Sequence, residues 1–129
     1  MATADLADVY RDYIDCLNRQ DWDRLGRFVD EGVRHNARQF GLPGYRKMLE
    51  QDFEQIPDLR FEIDIIVVDA PHVAVRLWFE VTPIGAFLGL PVNGRTVSFS
   101  ENAIYAYRGG KIREVWSVID KAAIEAQLG

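Results

Sequence analysis

The amino-acid sequence predicts an α+β fold in which helices pack on one face of a curved antiparallel sheet. Apolar residues recur at steps of three and four in the first half of the chain and at steps of two in the second half. The chain has 129 residues, which is enough for one hydrophobic core and too few for two. We therefore expect a single domain over residues 1–129, with most of its helices before its strands.

The helical pattern predicts three helices ahead of the sheet. The first runs from Asp5 to Asn18, and Asp21 is expected to cap the N-terminus of a short second helix. The segment GVRHN that follows should be brief and extended. Pro43 suits the first turn of a third helix, because its missing N–H is not needed there, and Pro57 limits that helix.

The second half of the chain predicts long antiparallel strands. In LRFEIDIIVVD and HVAVRLWFEVT, apolar residues alternate with polar ones, so one face of each strand should be buried. The Gly109–Gly110 pair should turn RTVSFSENAIYAY back into KIREVWSVID, where Trp116 shares a face with Ile112 and Val118 and is expected to pack. A short helix, KAAIEAQL, should follow. The expected buried positions of the first two strands are Leu59, Phe61, Ile63, Ile65 and Val67, then Val73, Val75, Leu77, Phe79 and Val81.

Charge and composition exclude several classes of protein. The formal net charge is −5 and the chain carries no basic stripe, so nucleic acid and anionic membrane surfaces are disfavoured as partners. Cys16 is the single cysteine, which excludes an internal disulfide and a thiolate metal cluster. The segment MATADLADVYRDYID lacks the positive start and continuous apolar run of a secretory signal, so we expect a cytoplasmic, reducing location.

Three segments carry a family resemblance. They are LNRQDWDRLGRFVDEGVRHN, GAFLGLPVNGRTVSF, and GGKIREVWSVID continuing to AIEAQLG, and together they resemble the SnoaL-like polyketide cyclases of the NTF2-like superfamily over nearly the whole chain. The resemblance implies a cone-shaped α+β barrel around one apolar pocket, with the N-terminal helices on the concave face of the sheet. It also implies a hydrophobic, polyketide- or steroid-like carbonyl compound as ligand, and aldol cyclisation or isomerisation without a cofactor or metal.

The acid/base residues of the antibiotic cyclases in this group are replaced here. Those enzymes use an aspartate on the last strand and a histidine on the strand before it. Registering their glycine-lysine-isoleucine turn on residues 110–112 places Ser117 at the aspartate position and Ala103 at the histidine position. A serine hydroxyl cannot accept a proton from an acidic carbon without an adjacent base. Catalysis in this pocket would therefore need another group.

Three residues are candidates for that group. Strand alternation places Glu101 among apolar neighbours, where burial would raise its pKa; alternatively, it pairs with an inward Arg113 or a bulge turns it to solvent. His35 could act as base or orient a ligand carbonyl, or it could be a hydrogen-bonded structural residue. Asp120 could be catalytic or could cap the last helix.

The expected pocket is mostly aromatic. Its tyrosines could donate a hydrogen bond to an enolate oxygen or could simply pack in the core, and the loop GAFLGLP should form an apolar flap over the mouth. The outward face of the sheet, with Arg76, Trp78, Glu80, Ser98, Ser100 and Asn102, suits a homodimer interface. The predicted pocket residues are Tyr13, Trp22, Tyr45, Phe79, Phe87, Phe99, Tyr105 and Ser117.

Three functions remain open from the sequence. The first is proton abstraction and return on an apolar carbonyl compound, with Glu101 or His35 as base. The second is a binding or accessory protein that holds an apolar metabolite in the same pocket, which the replaced aspartate and histidine favour. The third is hydrolysis in the manner of the superfamily's epoxide hydrolases, which would need an acid-arginine-acid arrangement around a water and leaves a role for Arg113.

Overall fold

The computed structural model describes residues 3–129, and side chains from residue 6 onward. The first two residues of the expected domain lie outside this range. The described chain forms α1 (Thr3–Asn18), a 3-10 helix (Trp22–Arg27), β1 (Val29–His35), β2 (Arg38–Gln39), α2 (Gly41–Gln55), β3 (Glu62–Asp69), β4 (His72–Val81), β5 (Ala86–Phe87), β6 (Leu90–Pro91), β7 (Val97–Arg108), β8 (Lys111–Ile119) and α3 (Lys121–Gln127).

Six of these strands form one curved sheet in the order β2-β1-β8-β7-β4-β3. Strand β1 runs parallel to β8, and the other neighbouring strands are antiparallel. The edge strands β2 and β3 do not pair with each other, so the predicted barrel is an unclosed one. The short strands β5 and β6 make a separate hairpin. The α+β expectation is confirmed.

The hydrophobic core lies between the helices and the inner face of the sheet. Helix α1 buries Tyr10, Tyr13 and Leu17, which follow the predicted helical stripe. The sequence prediction for β4 is confirmed, because every second residue from Val73 to Val81 is buried. Asp21 does not cap the 3-10 helix as predicted; its carboxylate instead lies 3.4 Å from the Arg24 guanidinium.

A β-bulge changes which residues of β3 face the core. Ile63 pairs with Leu77 and Ile65 pairs with Arg76, so Asp64 is an extra residue in the strand. Beyond this bulge the alternation is inverted, and Ile65 and Val67 are 52% and 59% exposed. The prediction that these two residues are buried was therefore wrong.

A second bulge does the same in β8. The pairing of β7 with β8 shifts between Ala106 and Tyr107, which leaves Arg113 as the extra residue. Ile112 is fully buried, whereas Trp116 and Val118 are 41% and 73% exposed on the outer face. Trp116 therefore does not pack in the core as predicted. The inner face of β8 is made instead by Val115, Ser117 and Ile119.

Candidate active site

The interior holds a cavity of two adjoining chambers between α2 and the inner face of the sheet. The inner chamber has a volume of about 180 Å³ and the flap chamber about 50 Å³. Their walls share Asp52, Phe61, Glu101 and Ile119. The inner chamber is completed by Tyr13, Leu17, His35, Tyr45, Met48, Leu49, Tyr105, Val115 and Ser117, and the flap chamber by Ile56, Leu59, Phe79, Phe87 and Phe99.

Glu101 points into this cavity from β7. It sits between the buried residues Phe99 and Ala103, whose side chains share its face of the strand. Burial is the main cause that raises the pKa of Glu101 to about 7; a polar contact with the Ser117 hydroxyl lowers it in part, and the charge of Asp52 raises it. A carboxyl group with this proton affinity can exchange a proton with a ligand at neutral pH.

The predicted alternatives for Glu101 do not occur. Arg113 is the bulged residue of β8, and its guanidinium donates to the carbonyl of Gly32 rather than to a carboxylate. The strand pairing of β7 around Glu101 is regular, with Leu77 on one side and Ile119 on the other. Glu101 is therefore neither in an ion pair with Arg113 nor turned to solvent by a bulge.

Asp52 is a functional candidate that the sequence analysis missed. It lies on α2 and borders both chambers, and burial raises its pKa to about 6. The signal was present in the sequence, because Asp52 follows Met48 by four residues and Leu49 by three and so falls on the apolar stripe of the helix. The stripe alone does not show whether an acid at such a position meets solvent or a cavity.

Two tyrosines supply hydrogen-bond donors to the inner chamber. The hydroxyl oxygens of Tyr13 and Tyr45 lie 2.7 Å apart and are hydrogen bonded to each other. Burial raises the pKa of both side chains, so both hydroxyls keep their hydrogens. One hydrogen is used within the pair, and the other is free to bond a ligand oxygen. Tyr105 is buried in the same wall and also has a raised pKa.

His35 lies at the end of β1, next to Ser117. Its Nε2 atom is 3.4 Å from the Ser117 hydroxyl, and its ring stacks on Phe40 with centroids 5.6 Å apart. Burial, together with the charge of Arg38, lowers the pKa of His35, so the imidazole is neutral near pH 7. His35 is therefore held by its neighbours and borders the inner chamber.

Asn36 fixes the position of these two residues. Its side chain donates to the Ser117 carbonyl at 3.2 Å and accepts from the Ser117 N–H at 2.9 Å, in the manner of a neighbouring strand. Its own N–H donates to the carbonyl of Val115 at 2.8 Å. These bonds hold the end of β1 against β8, and therefore hold His35 beside Ser117.

The predicted flap is the hairpin of β5 and β6. Its turn is formed by Leu88 and Gly89, both with positive φ, of 53° and 76°. Phe87 is buried and its ring centroid lies 5.6 Å from that of Phe99, whereas Leu88 is exposed. One aromatic side chain of the flap therefore forms a wall of the flap chamber.

Two predicted site residues lie elsewhere. Trp22 does not border either chamber, contrary to prediction; its ring packs edge-on against Phe53 with centroids 5.8 Å apart. Asp120 accepts a hydrogen bond from the N–H of Ala123 at 3.1 Å and so caps α3. Of the two interpretations of Asp120, the structure shows the cap. The other predicted pocket residues all line the two chambers.

The titratable side chains that line the cavity are two acids, three tyrosines and one histidine. Among the described residues, neither chamber has a lysine or an arginine in its wall. Within the same part of the chain, no three His, Cys, Asp or Glu side chains are grouped so that they could hold a metal ion. None of the described helices is long and apolar enough to cross a bilayer.

A hollow of about 640 Å³ forms an open groove on the outer face of the sheet. It is bordered by Ile65, Val67, Ile104, Trp116 and Val118, all of which are exposed. Part of the face that was expected to form a homodimer interface is covered by the chain itself, because the Gln127 side chain of α3 bonds both the N–H and the carbonyl of Ser98. Ser100 is also buried.

An unclosed, curved sheet with helices packed on it, and an aromatic-lined cavity between the two, define an α+β protein of the NTF2-like class. The family model of the SnoaL-like polyketide cyclases matches residues 7–128. The chain belongs to the SnoaL-like polyketide cyclase family. A search of curated proteins found no similar sequence.

Comparison with solved structures agrees with this assignment. The chain is similar to a SnoaL-like polyketide cyclase from Agrobacterium tumefaciens strain C58, with 56% identity, full coverage of both chains and a TM-score of 0.96. TsrD from Streptomyces laurentii shares 23% identity over 100% of this chain and 98% of its own, with a TM-score of 0.86. IdmH from Streptomyces antibioticus shares 20% identity over 96% and 98%, with a TM-score of 0.82. The last two similarities concern the fold alone.

Proposed function

We propose that this protein binds a compact, uncharged carbonyl compound and catalyses proton transfer at the carbon next to its carbonyl group. Glu101 is the base. It takes a proton from that carbon, and the C–H electrons move toward the carbonyl oxygen to give an enolate. Glu101 then either returns the proton to carbon, or the enolate carbon attacks a second carbonyl of the same molecule and the alkoxide oxygen formed there takes the proton from Glu101. The first outcome is an isomerisation and the second an aldol cyclisation.

The observation that carries this proposal is the position of Glu101 in a cavity without a neighbouring cation. A base is most effective when its pKa lies near the working pH, and that of Glu101 is about 7. The free hydroxyl hydrogen of the Tyr13–Tyr45 pair can stabilise the enolate oxygen. His35, neutral and beside Ser117, is the second candidate for moving the proton.

The size of the cavity limits the ligand. A dry protein cavity of about 150 Å³ accommodates a single benzene ring. The inner chamber, at about 180 Å³, therefore suits a ligand with one ring or a short branched chain. A larger polyketide- or steroid-like compound would need Phe87 and the flap to move aside and join the two chambers.

A binding function without catalysis is the second candidate. The observation that favours it is the pair Ser117 and Ala103 at the positions where the antibiotic cyclases of the family have an aspartate and a histidine. In that case the same chambers would hold an apolar metabolite, and the acids would only select against anions. Hydrolysis by an acid-arginine-acid group receives no support, since Arg113 bonds Gly32 and not Glu101.

Exchange of carbon-bound hydrogen in deuterium oxide tests the proposal without knowledge of the natural substrate. Proton NMR would follow the loss of α-hydrogen signals from a panel of one-ring ketones such as acetophenone and cyclohexanone. We expect the protein to accelerate exchange, Glu101→Gln to reduce that acceleration by about 100-fold or more, and His35→Ala to reduce it less. Glu54→Gln is the matched control, because it removes the same charge from an exposed position.

The outcomes separate the two candidate functions. Saturable binding of these ketones with no acceleration in any of them would leave only the binding function. Acceleration that Glu101→Gln leaves unchanged would refute the role of Glu101 and direct attention to His35.

We also propose that the outer groove pairs with a second copy of the chain. The groove is rich in exposed apolar side chains, and its one charged group, Arg76, is already paired with Asp64 of the same chain. Such a surface is complementary to itself, as a two-fold interface requires.

Ultracentrifugation should give twice the chain mass of 14.8 kDa. Val118→Glu should yield monomers and Ile84→Glu, at an exposed site outside the groove, should not; a monomeric wild-type protein would contradict the proposal.

A further inference from the structure

Two carboxyl groups face the cavity from different elements of the fold. Asp52 projects from α2 and Glu101 from β7, and each forms part of the wall of both chambers. The ion pairs of the described residues all lie elsewhere. Neither carboxylate therefore has a cation beside it to offset its charge.

The other titratable side chains around the two acids do not supply a positive charge either. The titratable side chains that face them are neutral near pH 7, because burial lowers the pKa of the histidine and raises the pKa values of the tyrosines. Like charges that share a site disfavour each other, so full ionisation of both acids is costly. These facing groups are His35 from β1, Tyr13 from α1, Tyr45 from α2 and Tyr105 from β7.

We propose that Asp52 is a positioning residue that sets the proton affinity of Glu101 across the cavity. The two acids lose their protons in separate steps, and between these steps the pair carries a single negative charge. The inference rests on the proposed function, in which Glu101 is the base. It adds that the negative charge of Asp52 makes Glu101 a stronger base than burial alone would.

The two raised pKa values are consistent with this order. Asp52 ionises first, at about 6, and its charge is one of the causes that raise the pKa of Glu101 to about 7. Removal of the Asp52 charge should leave the effect of burial on Glu101 in place and remove the effect of the neighbour. The pKa of Glu101 should then fall and still stay above its ordinary value.

Carbon NMR of the side-chain carboxyl groups tests the coupling directly. In protein labelled at the glutamate δ-carbon, the signal absent from Glu101→Gln identifies Glu101, and its shift is followed from pH 4 to pH 9. We expect Asp52→Asn to lower the titration midpoint of Glu101 by about one pH unit and Glu54→Gln, on the exposed side of the same helix, to leave it unchanged.

The measurement on Asp52 guards against an Asp52→Asn variant that does not fold. Glu101 is still neutral when Asp52 ionises, so Glu101→Gln should leave the midpoint of Asp52, observed with labelled aspartate, near 6. An unchanged Glu101 midpoint in Asp52→Asn, a lowered Asp52 midpoint in Glu101→Gln, or an equal change in Glu54→Gln would overturn the inference. Loss of proton exchange in Glu101→Gln without any coupling would overturn it while the proposed function stands, and coupling without exchange would refute the function alone.

Discussion

Replacement of Glu101 by glutamine should stabilise the protein at alkaline pH. The carboxyl group of Glu101 has an ordinary pKa of 4.5 and a pKa of about 7 in the folded chain. Between these two values the folded state holds a proton that the unfolded state has released. Stability therefore falls as the pH rises through this interval, and the loss is complete above pH 7.

The interval from 4.5 to about 7 sets the size of the effect. At about 1.36 kcal/mol per pH unit, it corresponds to roughly 3 kcal/mol of lost stability above pH 7. Glutamine has nearly the same shape and carries no charge, so Glu101→Gln should raise the free energy of unfolding by about 3 kcal/mol at pH 8.5 and by less than about 1 kcal/mol at pH 5.

Urea denaturation followed by tryptophan fluorescence at both pH values measures this difference. Glu54→Gln serves as the control, since its carboxylate is exposed and its removal should change stability little at either pH. An equal stability of wild type and Glu101→Gln at pH 8.5 would refute the reasoning, because it would mean that the folded state does not penalise the charged form of Glu101.

Three further predictions concern the cavity wall, the last helix and ligand choice. Tyr45→Phe should lower the free energy of unfolding by about 1–2 kcal/mol, because Tyr13 loses its partner, whereas Tyr107→Phe, whose hydroxyl has no partner among the described residues, should cost less; urea denaturation compares them. Asp120→Ala should cost about 1 kcal/mol through loss of the cap and leave proton exchange intact; a loss of exchange at full stability would restore Asp120 as a catalytic candidate. Acetophenone should bind at least about tenfold more tightly than benzoate of similar size, as measured by calorimetry, since the acids disfavour a buried anion; equal affinities would contradict the proposed charge of the site.

Most of the fold was predictable because its patterns are regular. The stripe of α1, the alternation in β4 and the Gly109–Gly110 turn each determine an element locally, and the structure confirms them. The bulges at Asp64 and Arg113 were not predictable, because an extra residue leaves the alternation of the sequence intact and inverts only the pairing. Ile65, Val67 and Trp116 were placed on the wrong face for this reason.

The site was predictable in part for a related reason. Glu101 lies in a regular stretch of β7, so its inward direction followed from alternation. Asp52 was missed because an acid in a helical stripe does not reveal whether it meets solvent or a cavity; that depends on the distance between α2 and the sheet. The contact between His35 and Ser117, 82 residues apart, depends on the parallel pairing of β1 with β8.

The central claim is that the cavity keeps the carboxyl group of Glu101 protonated up to neutral pH. Infrared difference spectra recorded across a pH titration measure this directly, since a protonated carboxyl group has its own carbonyl stretching band. We predict a band that is absent from Glu101→Gln and disappears with a midpoint near pH 7. A midpoint near the ordinary value of 4.5 would contradict the account.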